Sequence, residues 1–188
     1  MRKLLSAVLY TALAFGANAA FAGNAELEAL REGTMKKLVF SSEPKDVSQV
    51  VFHDPDGGEH TLADWQGKHI MVNFWATWCA PCRKEMPALD ALQAEFGGDT
   101  FEVVTIAAGR NAIPAIDRFF DEVNVTNLPI LLDPKNKLSS QMAVFGMPTT
   151  MILNPEGKEI ARMRGDADWH SNSARAIIVA MIGDGPEG

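Results

Sequence analysis

Cysteine is scarce in this sequence: two residues among 188. Two thiolates supply only half of a tetrahedral zinc set. The four histidines, His53, His60, His69 and His170, show no paired spacing that would complete one. Positive charge is also short. Seventeen Lys and Arg stand against 24 Asp and Glu, a net charge of −7, so a general nucleic-acid-binding role has no electrostatic support. Tandem repeats and low-complexity tracts are absent. No apolar run reaches the roughly 20 residues of a membrane-spanning helix. What is present is ordinary for a soluble globular protein, 47% hydrophobic and 22% charged. The length suits one domain with a proper core and is too short for two comfortable ones.

The first residues follow their own pattern. Arg2 and Lys3 precede an apolar run from Leu4 to Phe15, and small residues follow, ending Ala20-Phe21-Ala22. That is the order of a secretory signal, with cleavage expected after Ala22; the alternative is an uncleaved anchor. No cysteine lies near that site, which excludes lipid attachment there. The expected organisation is a signal peptide over 1–22, an N-terminal helix and linker over 23–46, and the domain proper over 47–188.

Export changes how Cys79 and Cys82 are read. In an oxidising compartment a cysteine pair is usually a structural staple. Only Ala80 and Pro81 separate these two, and closing so small a loop removes little unfolded-state entropy. Redox chemistry is the better reading before any neighbour is considered.

Along the chain, Ala25, Leu27, Ala29, Leu30 and Met35 among charges suggest a short amphipathic helix within Gly23 to Lys37. Ser41 to Asp46, with Pro44, reads as a polar linker. Asp54-Pro55-Asp56-Gly57-Gly58 is a turn between two short strands. Ile70 to Trp75 reads as a buried strand running directly into the cysteines. A helix follows, marked by Met86, Leu89, Leu92 and Phe96, ending at Gly97-Gly98, with Pro87 expected to kink it. Strands are expected over Phe101–Ala107, Leu128–Leu132, Met147–Leu153 and Glu159–Arg164, the last two joined by the turn Asn154-Pro155-Glu156-Gly157. Helices are expected over Ile113–Val123, Lys137–Phe145 and Asp168–Ile182, the last capped by Asp166 or Asp168. The alternation implies an α/β fold, a mixed sheet with helices on both faces.

The cysteine pair thus falls where a buried strand meets a helix N-terminus. Free backbone N–H groups and the helix dipole favour a thiolate there. Cys79, at the exposed end, is the expected nucleophile. Cys82, a turn inside the helix, is placed to resolve a mixed disulfide by attacking the sulfur of Cys79. Pro81 wastes no N–H in the first turn, Ala80 keeps the approach open, and Trp78 offers a flat apolar wall.

Val72-Asn73-Phe74-Trp75-Ala76-Thr77-Trp78-Cys79-Ala80-Pro81-Cys82, followed by Arg83-Lys84-Glu85-Met86-Pro87, resembles the thioredoxin superfamily. More narrowly it resembles the exported TlpA/ResA/CcmG-like branch, over roughly Val50 to the C-terminus. Gly146-Met147-Pro148-Thr149 falls where that fold has its cis-proline loop, which implies a substrate-binding wall from Met147, Pro148 and Thr149 beside Trp78 and Pro81. A trans turn proline is the alternative for Pro148. The resemblance implies a thioredoxin-like fold with an N-terminal β-hairpin and short helix extension. Cytosolic thioredoxin carries a buried acid on the strand before its cysteines, and Asn73 matches that position. An amide cannot take the proton that Cys82 must lose. Glu85 matches the acid that the branch carries after its CxxC, which implies a proton acceptor for Cys82 or a tuner of the thiol pKa values. A solvated helix glutamate is the competing view.

Met142, Met147, Met151, Met163 and Met181 could suggest Cu(I) ligands, but most fall on core-facing positions, where packing is the simpler reading. Trp169 and His170 read as residues opening the last helix. The resemblance implies a periplasmic protein-disulfide reductase without a cofactor or metal, acting on client proteins of cytochrome c or copper-centre maturation. A membrane thiol reductase is the implied electron donor. A monomer is expected, since no dimerisation segment is visible. A copper-handling protein using both thiolates, and a general oxidase or isomerase, are the alternatives.

Overall fold

A computed structural model describes residues 24–183; the expected signal peptide lies outside the described residues. Eight strands form one mixed sheet: β1 Val39–Lys45, β2 Phe52–His53, β3 Glu59–His60, β4 His69–Trp75, β5 Phe101–Ala108, β6 Leu131–Asp133, β7 Thr149–Leu153 and β8 Glu159–Arg164. Their order across the sheet is β1-β8-β7-β4-β5-β6-β2-β3. The central three, β4, β5 and β6, are parallel, and β7, β8 and β1 add antiparallel on one side. Among the described residues, four helices lie after β4: α1 Ala80–Phe96, α2 Ile113–Val123, α3 Lys137–Gln141 and α4 Asn172–Ile182. The architecture is the thioredoxin-like α/β fold that the motifs implied.

Alternation along the buried central strands divides the core in two. Met71 and Trp75 of β4 and Val103 and Ala107 of β5 point to one face, against Met86, Leu89 and Leu92 of α1 and Ile177 and Ile178 of α4. Ile70, Val72 and Phe74, with Val104 and Ile106, point to the other, against Leu138 of α3, Phe52 and Leu62. Asn73 therefore faces the α1 side, between Met71 and Trp75. That parity brings a polar side chain under the cysteine-bearing helix.

Several elements differ from the sequence reading, each for a local reason. The stretch 41–46, read as a linker, is most of β1, the edge strand paired with β8. Its polar residues and Pro44 suit an edge, where one row of backbone groups needs no partner and Pro discourages further pairing. The N-terminal helix is broken in two, helical residues 24–29 and a 3-10 turn Gly33–Lys37; Gly33 has φ +51° at the break. β6 starts at Leu131, three residues late: Pro129 has no N–H for a ladder, and its carbonyl accepts from the Thr105 hydroxyl at 2.9 Å. α3 stops at Gln141, since Ala143 is left-handed and the Val144 N–H turns back to the Ser139 carbonyl. β7 starts at Thr149, after the cis Met147–Pro148 bond. The last helix is capped by Ser171, whose Oγ accepts from the Ala174 N–H at 3.2 Å, and not by Asp166 or Asp168.

Candidate active site

β4 delivers the chain to the site at the C-terminal edge of the parallel strands. Cys79 is the N-cap of α1, and its sulfur accepts from the Cys82 N–H at 3.3 Å. The two sulfurs are bonded at 2.03 Å, with Cα atoms 5.3 Å apart. Cys79 keeps 6% exposure while Cys82 has none, so only the first sulfur is open to attack from outside. Pro81 lies in the first turn of the helix, on its exposed side. The approach loop is braced from behind: Asn111 Oδ1 accepts from the Thr77 N–H at 2.8 Å and from the Thr77 hydroxyl at 3.0 Å. Nothing local in the sequence marks Asn111 for this task.

The mouth of the site is apolar. Trp78 is 67% exposed and Phe145 87%, which is uncommon for side chains of their size. Both line one cavity of about 440 Å3 together with Val144, Gly146 and Met147. Among the described residues neither the N–H nor the C=O of Met147 has a hydrogen-bond partner. Pro148 is buried behind it. Thr149, expected on the substrate wall, is buried, and its hydroxyl donates to the Gly146 carbonyl at 2.7 Å; it shapes the loop from inside. Of the five methionines weighed as soft ligands, Met142, Met151 and Met163 are buried in the core. Met147 alone reaches the cavity beside Trp78. A larger surface groove, about 870 Å3, lies between Val51, His53, Glu59 and Lys135, and Trp78 does not line it.

Beneath the cysteines the chemistry changes. Glu85 is 2% exposed, so the solvated-glutamate view is excluded. Asn73 Nδ2 donates to Glu85 Oε1 at 2.9 Å and to the Thr150 hydroxyl at 3.0 Å. The Ala167 N–H and the Trp169 indole N–H both donate to Glu85 Oε2, at 3.1 and 3.2 Å. Burial pushes the carboxyl up to about 7, against the opposing pull of the Asn73, Ala167 and Trp169 donors; the charge of Asp166 adds to the rise. A carboxyl with that value exists in both protonation states near neutrality, as a proton acceptor requires. Asn73 Oδ1 is buried without a partner. Trp169 precedes the last helix and does not open it, and no local signal marks its contact with an acid 84 residues away.

A CxxC disulfide at a helix N-terminus on a thioredoxin-like sheet, with a buried acid one turn on, defines a thiol–disulfide oxidoreductase. Residues 24–161 match the AhpC/TSA family, and the chain belongs to that family. Its relatives include thiol-disulfide oxidoreductase ResA of Bacillus subtilis, 35% identical over 124 residues, 66% of this chain and 68% of that protein. Thioredoxin-like protein YneN of the same organism is 39% identical over 103 residues, 54% of this chain and 59% of the relative. Among solved structures, the exposed lipoprotein thioredoxin of Streptococcus pneumoniae is 26% identical, with a TM-score of 0.57 over 71% of this chain and 98% of that one. A Chlorobium tepidum protein described as a thiol:disulfide interchange protein DsbE shares the fold, with a TM-score of 0.65 at 24% identity over 75% of this chain and 98% of the other.

Proposed function

We propose that this protein is a periplasmic reductant of specific client disulfides. The single observation that carries the reading is the pairing of a rim cysteine, Cys79, with a fully buried partner, Cys82, above a carboxyl held near neutrality. The Cys79 thiolate attacks one sulfur of a client disulfide, and the client's other sulfur leaves as a thiolate. Cys82 then loses its proton to Glu85 and attacks the Cys79 sulfur, forming the Cys79–Cys82 bond and releasing the second client thiolate. Two electrons have passed to the client; a membrane thiol reductase returns them, and Glu85 gives its proton back. Trp78, Pro81 and Met147 form the client wall, with the free backbone groups of Met147 open to strand-like hydrogen bonding.

Export rests on the charged, apolar and small-residue order of residues 1–22. The Streptococcus pneumoniae relative described as an exposed lipoprotein thioredoxin supports a place outside the cytoplasm. Clients in cytochrome c or copper-centre maturation, and action as a monomer, follow the resemblance to the TlpA/ResA/CcmG-like branch. The equilibrium potential of the pair against glutathione tests the direction of electron flow. Dithiol proteins range from about −270 mV in reductants to about −120 mV in oxidants. The expected value lies toward the first figure; one near or above about −150 mV overturns the reductant reading.

A further inference from the structure

We propose that Trp169 is a positioning residue for disulfide exchange, and that Thr34 and Lys37 of the N-terminal extension latch the loop carrying it against Glu85. This rests on the reading of Glu85 as the proton acceptor for Cys82. The loop between β8 and α4 gives Glu85 Oε2 two donors, the Ala167 N–H and the Trp169 indole, while Asn73 holds Oε1. Donors on both oxygens fix the carboxyl plane. Trp169 is 1% exposed, and a buried indole N–H without a partner is costly. Its partner here is the acid beneath the cysteines.

The loop makes hydrogen bonds of its own, from the His170 N–H and the Ser171 hydroxyl to Asp168, and the N-terminal extension adds others from outside. The Asp168 N–H donates to Thr34 Oγ1 at 3.0 Å. Lys37 Nζ donates to the Asp166 carbonyl and lies 3.9 Å from its carboxylate. Ser173 Oγ accepts from the Glu32 N–H at 2.9 Å and donates to the Leu30 carbonyl at 2.7 Å. Between these stretches Met35 is fully buried in the same core cluster as Trp169. Residues 30–37 therefore grip the loop and the start of α4 from outside.

A cavity of about 260 Å3 remains between the two segments, lined by Thr34, Lys84, Glu85, Asp166, Ala167 and Asp168. It gives the acid its opening toward solvent, so a proton taken from Cys82 has a way out that avoids the client face. The charged groups that line the cavity with Glu85 are Asp166 and Asp168 from the loop and Lys84 from α1; Lys37 of the 3-10 turn pairs with Asp166. The charge of Asp166 raises the Glu85 carboxyl further. The indole N–H stabilises the ionised carboxyl against the burial that opposes it.

Reaction of the reduced protein with a chromogenic aryl disulfide tests this. The first aryl thiolate released reports attack by Cys79, and the second reports resolution by Cys82. In Trp169→Phe, which keeps an aromatic ring and removes the donor, the acid limb of the second phase should move up by about one pH unit. Resolution at pH 6 would then slow about tenfold. Thr34→Val, on the exposed side, should move it the same way by less. In Glu85→Gln the limb should vanish, and adding Trp169→Phe should change nothing more. An unmoved limb in both Trp169→Phe and Thr34→Val, with the Glu85→Gln loss intact, overturns the latch alone. A limb that survives Glu85→Gln overturns the proton-acceptor reading and the latch with it.

Discussion

The mouth of the site and its underside are built in opposite ways. At the mouth, Trp78, Cys79 and Pro81 are neighbours in the chain, and Trp78 stands largely in solvent. On the underside, Asn73, Glu85, Thr150, Ala167 and Trp169 come from β4, α1, β7 and the loop before α4, and the contacts at Glu85 span up to 84 residues. The cysteine side of the mouth needs only a strand, a turn and a helix start, so a short motif encodes it, while the facing wall is the separate Val144–Met147 segment. The underside needs the whole sheet to be folded before its donors meet the acid. The cysteine pair is set locally, whereas the surroundings of the buried carboxyl are tertiary. One consequence is that the two can be altered separately.

The largest effect should come from the mouth. Cys82→Ala leaves the nucleophile and removes the resolver, so turnover should be lost entirely and mixed disulfides at Cys79 should accumulate in the exporting cell. Trapped partners would appear as adducts on non-reducing gels, cleared by reductant and absent from Cys79→Ser. Adducts forming equally in Cys79→Ser would reverse the two assignments and undo the contrast between rim and buried cysteine.

The underside should show itself in stability more than in the trapping pattern. A carboxyl raised from 4.5 to about 7 on folding binds more protons in the folded state than in the unfolded state between those values. Stability is therefore fully present below pH 4.5 and is lost as pH rises toward 7. At about 1.4 kcal/mol per pH unit the loss is about 3 kcal/mol, with a flat region above. Glu85→Gln should remove that slope, as read from urea unfolding midpoints of the oxidised protein across the range. A variant with the same slope as the parent would mean that another group carries it.

How much was legible follows from the same contrast. The α/β alternation, the Ile113–Val123 helix and the Glu159–Arg164 strand stood in the sequence as they stand in the fold, because periodicity and turns such as Asn154–Gly157 are local signals. The position of the cysteine pair at a strand end and helix start was legible for the same reason. Ser41 to Lys45 was not: a strand exposed along one edge carries the polar residues and Pro44 of a linker, and only β8 beside it reveals the pairing. Glu85 was visible as a motif position, but its burial was not, since a helix glutamate is normally solvated. Trp169 carried no signal at all. Its partner is fixed by the return of the chain after β8, and the same is true of Thr34.

The account stands most directly on the carboxyl of Glu85, and carbon-13 NMR titration of that one carbon addresses it. In the disulfide form the midpoint should lie at about 7, and it should move when reduction places an ionisable Cys82 thiol one helical turn away. A midpoint at the ordinary 4.5, or one that reduction leaves in place, would contradict a proton link between the acid and the cysteine pair.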